Sequence, residues 1–303
     1  MTRASVVAAG LVLSSALLQQ PAADTDIYVA GYVGTDRLNV APLVNVSRND
    51  GYDNQPSFLP DGTALLFSSM RDGTQRDIYR YDFATGQVTQ VTSTSESEYS
   101  PLVTPDGRSF SVIRVEADNT QRLWRFDLEG TRPRLVLENV KPVGYHACIE
   151  ATHLALFVLG ANGQPNTLQI ADTRTGTTEV VDSRIGRSLH VRPGAGTVSY
   201  ISKPQGAHWL VKEFDPKTRE TRTLTETPDS NQTEDAAWLP NGMLVMSSGS
   251  KLMVWVPGQN GWRVAADLSA SVGRVTRLAI GPSGPALPGA MPRIAVVAEP
   301  RAR

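Results

Sequence analysis

The chain is poor in the residues that most enzymes and disulfide-built modules depend on: one cysteine, Cys148, and four histidines in 303 residues. A lone thiol closes no internal disulfide, and Cys148 lies too far along the chain to carry a lipid behind a leader. Charge of a single sign is also missing. Lysine and arginine number 29 against 30 aspartates and glutamates, and no long run of either sign occurs. That balance excludes nucleic acid and a polybasic membrane contact as expected partners. Past the leader no apolar run approaches the ~20 residues that a membrane-spanning helix needs. Several catalytic constellations are absent too. There is no Gly-x-Ser-x-Gly elbow for a serine nucleophile. There is no His-Glu-x-x-His or cysteine cluster for zinc, and no glycine-rich phosphate loop.

What is present is a repeat. Residues 55–92 hold Pro56-Ser57-Phe58-Leu59, then Pro60-Asp61-Gly62, then Ala64-Leu65-Leu66-Phe67-Ser68-Ser69. After an Arg71-Asp72-Gly73 turn come Asp77-Ile78-Tyr79-Arg80-Tyr81-Asp82, a Thr85-Gly86 turn, and Gln87-Val88-Thr89-Gln90-Val91-Thr92. Short apolar or β-branched runs separated by turn signals predict a four-stranded antiparallel meander. Proline presets φ, aspartate hydrogen-bonds the backbone ahead of it, and glycine supplies the left-handed position. Pro-Asp-Gly recurs 45 residues on at Pro105-Asp106-Gly107, and weaker forms stand at Pro193-Gly194, Pro240-Asn241-Gly242 and Pro282-Ser283-Gly284. An aspartate closing the third strand runs in phase, at Asp82, Asp127, Asp172 and Asp215, in steps of 45, 45 and 43. One meander of ~40 residues cannot bury both its faces alone, so copies must stack. Two markers sharing one period predict a β-propeller.

The stretch 55–92, with its Pro-Ser-Phe-Leu-Pro-Asp-Gly, Phe-Ser-Ser-Met-Arg-Asp-Gly and Asp-Ile-Tyr-Arg-Tyr-Asp segments, resembles the WD-like repeat of TolB-type propellers. The likeness is specific there and around Pro105, and fades to a strand-and-turn rhythm later in the chain. It implies an all-β, six-bladed propeller acting as a binding platform in the bacterial envelope. Only the propeller part is implied. The α/β domain that the TolB family carries ahead of its propeller finds no room in this chain, so a translocation role is not expected.

Residues 1–23 read as a secretory signal peptide, with Arg3 ahead of a mainly apolar stretch and Gln19-Gln20-Pro21-Ala22-Ala23 as the cleavage region. The mature protein, 24–303, is therefore expected to be periplasmic or secreted, and monomeric. Asp26-Ile27-Tyr28-Val29-Ala30 echoes the third strand of the repeat, and 38–46 echoes the fourth. At the far end, 274–280 and 293–298 supply a first and second strand with nothing after them. The halves are predicted to join into one composite blade that closes the ring. The blades are expected at 55–92, 99–140, 145–183, 187–227, 234–268, and 274–298 joined to 26–46. In the third, Glu150-Ala151-Thr152 replaces the turn motif. In the last, Pro282, Pro285, Pro288 and Pro292 mark a stiff exposed loop.

In a propeller the residues just before each innermost strand crowd around one mouth of the central channel. Here these are Asp53 and Asn54, Glu98 and Tyr99, Tyr145 and His146, Arg187 and Ser188, Glu234 and Asp235, and Arg274. Convergent polar groups at a cavity mouth make a default binding site, here for a protein or peptide, with a glycan as a second option. No catalytic residue, cofactor or metal is assigned. His146 and His190 fall on neighbouring inner strands and could approach one another. Oligogalacturonate lyases, similar in architecture alone, hold a metal through histidine, but the spacing here matches no ligand motif. His153 and His208 fall near turns. The string Asn49-Asp50-Gly51-Tyr52-Asp53-Asn54 lacks the ligand ladder of a calcium loop and reads as a turn. Trp124, Trp209 and Trp255 are expected in third strands, packing between blades, and Trp238 in the core. The alternative function is a metal-assisted hydrolase or lyase acting on a small lactone or uronate at the mouth, as in gluconolactonase-type propellers.

Overall fold

The turn motif sets the local rhythm. At Pro60-Asp61-Gly62 the Gly62 amide donates to the Leu59 carbonyl at 2.9 Å, and the Asp61 carboxylate accepts from the Thr63 amide at 2.9 Å. The same pair of bonds recurs around Gly107, with Asp106 accepting from Arg108, and around Gly242, with Asn241 accepting from Met243. The three glycines sit at φ 69°, 67° and 84°, a left-handed conformation that strains any residue bearing a Cβ. The strand-closing aspartates are equally local in their work. Asp82 accepts from the amides of Ala84 and Thr85, Asp172 from Arg174, and Asp215 from Lys217. Each aspartate thereby turns the chain into the fourth strand.

The computed structural model describes residues 24–301 except 35–37, 72, 230–232 and 283–290. The leader expected at 1–23 and most of the proline-rich loop, including Pro285 and Pro288, lie outside the described residues. Among the described residues none is helical, and so none forms a helix able to cross a membrane. The strands form six antiparallel sheets. The first blade is Asp53–Phe58, Ala64–Ser69, Asp77–Asp82 and Val88–Gln90. The inner strands of the next four are Ser97–Val103, Val143–Cys148, Ile185–Val191 and Ala236–Trp238.

The sixth blade is the composite one. Its inner strand is Val275–Ile280, followed by Arg293–Ala298 and then by Asp26–Val33 from the other end of the chain. Asp26–Val33 pairs antiparallel with Arg293–Ala298 from Asp26↔Ala298 to Gly31↔Arg293. The expected fourth strand, 38–46, is broken into two short pieces, Asn39–Val40 and Val44–Asn45, both paired with Asp26–Val33. Pro42 interrupts it by withholding a ladder donor. In the third blade the Glu150-Ala151-Thr152 turn is closed by the Ile149 amide on the His153 carbonyl: the turn is different, not missing.

The core is divided into six apolar clusters, each lying between two adjacent blades. The second strand of the first blade shows how the sequence achieves this. All six residues of Ala64–Ser69 are buried, because side chains alternate across the strand. Leu65 and Phe67 face the composite blade, against Ile27 and Val297. Ala64 and Leu66 face the second blade, against Phe110 and Val112. A continuous apolar run is therefore what a sheet buried on both faces requires, and each fully buried Leu or Phe contributes on the order of 1.5–3 kcal/mol. Trp124 packs at the joint of the first and second blades and Trp255 at that of the fourth and fifth. Trp238 is buried, its indole N–H donating to Ser199 Oγ at 2.7 Å. Trp209 stands one residue ahead of the third strand Leu210–Phe214 and packs, as expected, against the cluster between the fourth and fifth blades, while also lining a cavity at the channel mouth.

Candidate functional site

Inner strands in a propeller must bend at the axis, and here they do so by irregular pairing. The register between inner and second strands shifts at Asn54/Ser57, Tyr99/Leu102, Val143/Tyr145, Ile185/Leu189 and Val275/Arg277. An extra residue in one strand breaks the ladder and re-aims a side chain. In the first two blades this residue is left-handed without being glycine: Gln55 at φ 58° and its repeat equivalent Ser100 at φ 52°. Such strain costs of order 1–3 kcal/mol and persists only where the surroundings impose it. One bond that does so is the Ser100 amide donating to Gln55 Oε1 at 2.9 Å, across the blade boundary. Similar bonds join other neighbours: Ala236 N–H to Ser188 Oγ at 3.1 Å, and Leu278 N–H to Asp235 Oδ1 at 3.2 Å.

The inner strands enclose a channel cavity of about 330 Å³ to which every blade contributes, through Gln55, Ser100, His146, Ser188, Asp235 and Arg277. A second cavity, of about 430 Å³, is lined by Tyr52, Asn54, Trp209, Glu234, Arg274 and Thr276 among others. Gln55, Tyr145, Arg187 and Arg277 wall both. A third, of about 280 Å³, lies among Tyr52, Tyr99, Tyr145 and Phe157. Both larger cavities fall in the size range of ligand pockets.

Arg277 is the central charge. Its Nη2 donates to the Tyr145 hydroxyl at 2.7 Å and its Nη1 lies 3.3 Å from Asp235 Oδ2. Its guanidinium carbon lies 4.9 Å from the centre of the Tyr145 ring. Burial opposes the charge, and Tyr145, Asp235 and Tyr52 outweigh it, so its pKa moves upward and the group stays cationic. Arg187 donates from Nη2 to the Thr276 carbonyl at 3.3 Å and faces Glu234 at 3.5 Å and Asp235 at 3.8 Å. Lys203 Nζ contacts Glu234 Oε2 at 3.1 Å and stands 3.8 Å from the Trp209 ring centre. A rim of alternating charge over aromatic faces results, with its cations clamped in pairs and by rings.

The residues expected at the mouth separate into groups. Asn54, Glu234 and Arg274 line the mouth cavity, and Tyr145 and Arg187 line both mouth and channel. Asp235 and His146 lie in the channel wall, and Tyr99 in the aromatic side cavity. Glu98 and Asp53 do not open onto the mouth, because both are fully buried. Glu98 accepts from Thr92 and Thr94 hydroxyls at 3.0 and 2.5 Å and faces Arg114 at 3.5 Å. Burial pushes its pKa up to about 7 and that of Asp53 up to about 6. The reason is the pleat: of two successive residues at a strand start, one faces the axis and the other faces the next blade.

His146 Nε2 lies 2.5 Å from Ser111 Oγ. Burial pushes its pKa down to about 4, and that of His190 moves down for the same reason, so both rings are held neutral. His190 lines the same channel. Among the described residues no group of three or more His, Cys, Asp or Glu side chains is placed to hold a metal ion. The loop Asn49–Asn54 bonds to its surroundings, with the Asn49 amide donating to the Met70 carbonyl and the Gly51 amide to Asp24.

Arg277, Gln55, Tyr52 and Lys203 were not singled out by sequence. Arg277 had a signal, as an arginine inside the otherwise apolar Val275-Thr276-Arg277-Leu278-Ala279-Ile280. Gln55 had none, because its side chain serves a partner one repeat away, the Ser100 amide.

No protein-family model matches the chain, and no curated protein matches it in sequence. Solved structures do. A putative TolB from Agrobacterium tumefaciens superposes with TM-score 0.66 at 14% identity, covering 91% of this chain and 98% of its own. A gluconolactonase from Xanthomonas campestris gives TM-score 0.63 at 12% identity, covering 92% and 98%. TolB from Acinetobacter baumannii gives TM-score 0.57 at 16% identity, covering 92% of this chain and 64% of its own. The chain thus spans under two thirds of that last protein's length. At these identities the likeness is one of fold: the chain is a six-bladed β-propeller, similar in architecture to the TolB proteins and to the gluconolactonase alike.

Proposed function

We propose that this is an exported, non-catalytic binding propeller of the bacterial envelope that takes a protein or peptide segment at its channel mouth. The observation that carries the reading is the mouth itself. Cations, carboxylates, amides and aromatic rings from several blades converge on one cavity of about 430 Å³, and each is held by a neighbour, which lowers the cost of ordering on binding. The TolB resemblance and the leader at 1–23 support an envelope address. The lactonase or lyase alternative has only the shared fold in its favour. A glycan would use the same amide and aromatic groups, but the paired charges of the rim match a peptide's alternating polarity more closely.

The test is capture. Mature protein, immobilised and crosslinked in an extract of envelope proteins, should retain a specific partner. The rim variant Asn54→Ala/Glu234→Gln should lose it while keeping the parent's fold by circular dichroism. Equal capture by parent and variant would remove the mouth from the reading. Metal retained stoichiometrically through dialysis, with lactone or uronate turnover, would replace binding by catalysis.

A further inference from the structure

The mouth reading leaves a question of chemistry: what kind of group fills the bottom of the cavity. Arg277 is 9% exposed and Arg187 stands beside it on both cavity walls. The Nε–H of each is buried and completes no hydrogen bond, although that of Arg187 stands 3.5 Å from Glu234 Oε1 as an ion pair. Unsatisfied donors on buried cations are costly, and they gain most from an anionic acceptor. The carboxylates nearby are already engaged. Asp235 gives Oδ1 to the Leu278 amide and Oδ2 to Arg277. Glu234 gives Oε2 to Lys203 and to the Arg187 amide, and its Oε1 lies 3.5 Å from Arg187 Nε. Arg274 and Glu299 line the same cavity, so four cations, Arg187, Lys203, Arg274 and Arg277, meet three carboxylates, Glu234, Asp235 and Glu299, and one positive charge is left over.

Resting on the proposed mouth site, we infer that the Arg187–Arg277 pair is the seat of a peptide's C-terminal carboxylate, which enters end-on with the last residues of the peptide against the rim. The walls favour one orientation. Inner strands from six blades surround the channel, so a chain end enters it with fewer flanking residues to accommodate than a mid-chain segment. An N-terminal ammonium finds both oxygens of Asp235 taken at that depth, and Glu299 lines the mouth cavity and not the channel. The Tyr145 hydroxyl accepts from Arg277 at 2.7 Å and keeps its own proton available to a carboxylate oxygen. Gln55 and Asn54 on the wall suit the amides that precede a peptide terminus.

The test uses two libraries of acetylated random hexapeptides, identical except that one ends in a free carboxylate and the other in a carboxamide. A third arm is trigalacturonate, which carries carboxylates on sugar rings. Binding to the mature protein is read by competition and by fluorescence anisotropy of the selected peptides. Selected peptides should weaken on the order of 10- to 100-fold when amidated, the range for a lost charge-assisted hydrogen bond. Arg277→Gln and, separately, the less buried Arg187→Gln should each erase the difference between acid and amide forms, and Arg277→Lys should keep part of it. Equal affinity for acid and amide peptides, lost in the rim variant, would overturn the carboxylate seat while leaving the mouth as a peptide site. No selection from either library would overturn both. Binding of trigalacturonate alone would replace the peptide with a uronate.

Discussion

Glu98 offers a sharp test of the burial argument, because the structure moves it from the mouth, where its place before an inner strand put it, into a joint. Its side chain is fully buried, and its pKa stands at about 7 against an ordinary 4.5. Burial is the leading cause, partly offset by the hydroxyls of Thr94 and Thr92 and by Arg114. As pH rises past 4.5 the unfolded chain releases this proton, while the folded chain keeps it until about 7. The folded state binds more protons across that window, so stability falls as pH rises through it. With 1.36 kcal/mol per unit, the full effect is about 3 kcal/mol. Asp53, raised from 3.8 to about 6, acts in the same sense between those values. His146, lowered from 6.5 to about 4, acts in the opposite sense between 4 and 6.5. The whole-protein profile mixes all three, and a difference isolates one. Glu98→Gln keeps the shape and an acceptor for Thr94 but cannot ionise. Urea denaturation of parent and variant should give similar stabilities near pH 4, with the variant gaining about 3 kcal/mol relative to the parent by pH 8. A difference that is flat with pH, or that favours the parent at pH 8, would show that Thr92, Thr94 and Arg114 stabilise the carboxylate more than burial penalises it, and the reasoning would be wrong.

Ile27→Ala, in the strand that closes the ring and fully buried, should cost about 2–5 kcal/mol in chemical denaturation; a cost of a few tenths would mean the closing strand is not part of the cooperative unit. Gly130 and Gly73 both sit at positive φ, but a Cβ on Gly130 would lie 1.9 Å from the Val91 carbonyl oxygen, whereas one on Gly73 meets nothing. Gly73→Ala should therefore cost about 1–2 kcal/mol and Gly130→Ala clearly more; equal melting shifts would refute the contact. Cys148 is half-buried and burial pushes its thiol up to about 11, so it should react slowly with a thiol reagent at pH 8 in the native protein and rapidly in urea.

The ring was legible from sequence because its causes are local. Pro-Asp-Gly turns and the strand-closing aspartates make their hydrogen bonds within a few residues, so they survive as strings and repeat at the blade period. The two-ended blade was legible for a related reason, since each end carries the strands that the other lacks. The site was only half legible. Placing residues at the strand start located the mouth, but the pleat sends alternate residues to the axis and to the joint, so Asn54 and Asp53 part company, as do Tyr99 and Glu98. Inserted residues in five of the inner strands, one in each of four and two between Ile185 and Leu189, re-aim side chains, and nothing in the string marks where they fall. Gln55 shows the limit: its side chain accepts from the amide of Ser100, a residue one repeat away, and no local string encodes that contact. Trp209 stands one residue ahead of the strand that its spacing indicates, and its indole both packs at the expected joint and reaches the mouth cavity, a second role that the spacing does not mark.

The pairing of Asp26–Val33 with Arg293–Ala298 also dictates an order of events. Asp26–Val33 is made long before its partner Arg293–Ala298, so it must wait, unsatisfied, while the five intervening blades are synthesised. Until the tail arrives, the chain is an open arc with an apolar flank at each end. The final zip converts a row of separate wedges into one cooperative body and sets Asp26 beside Ala298, so a circular permutant opened between any two blades should still close.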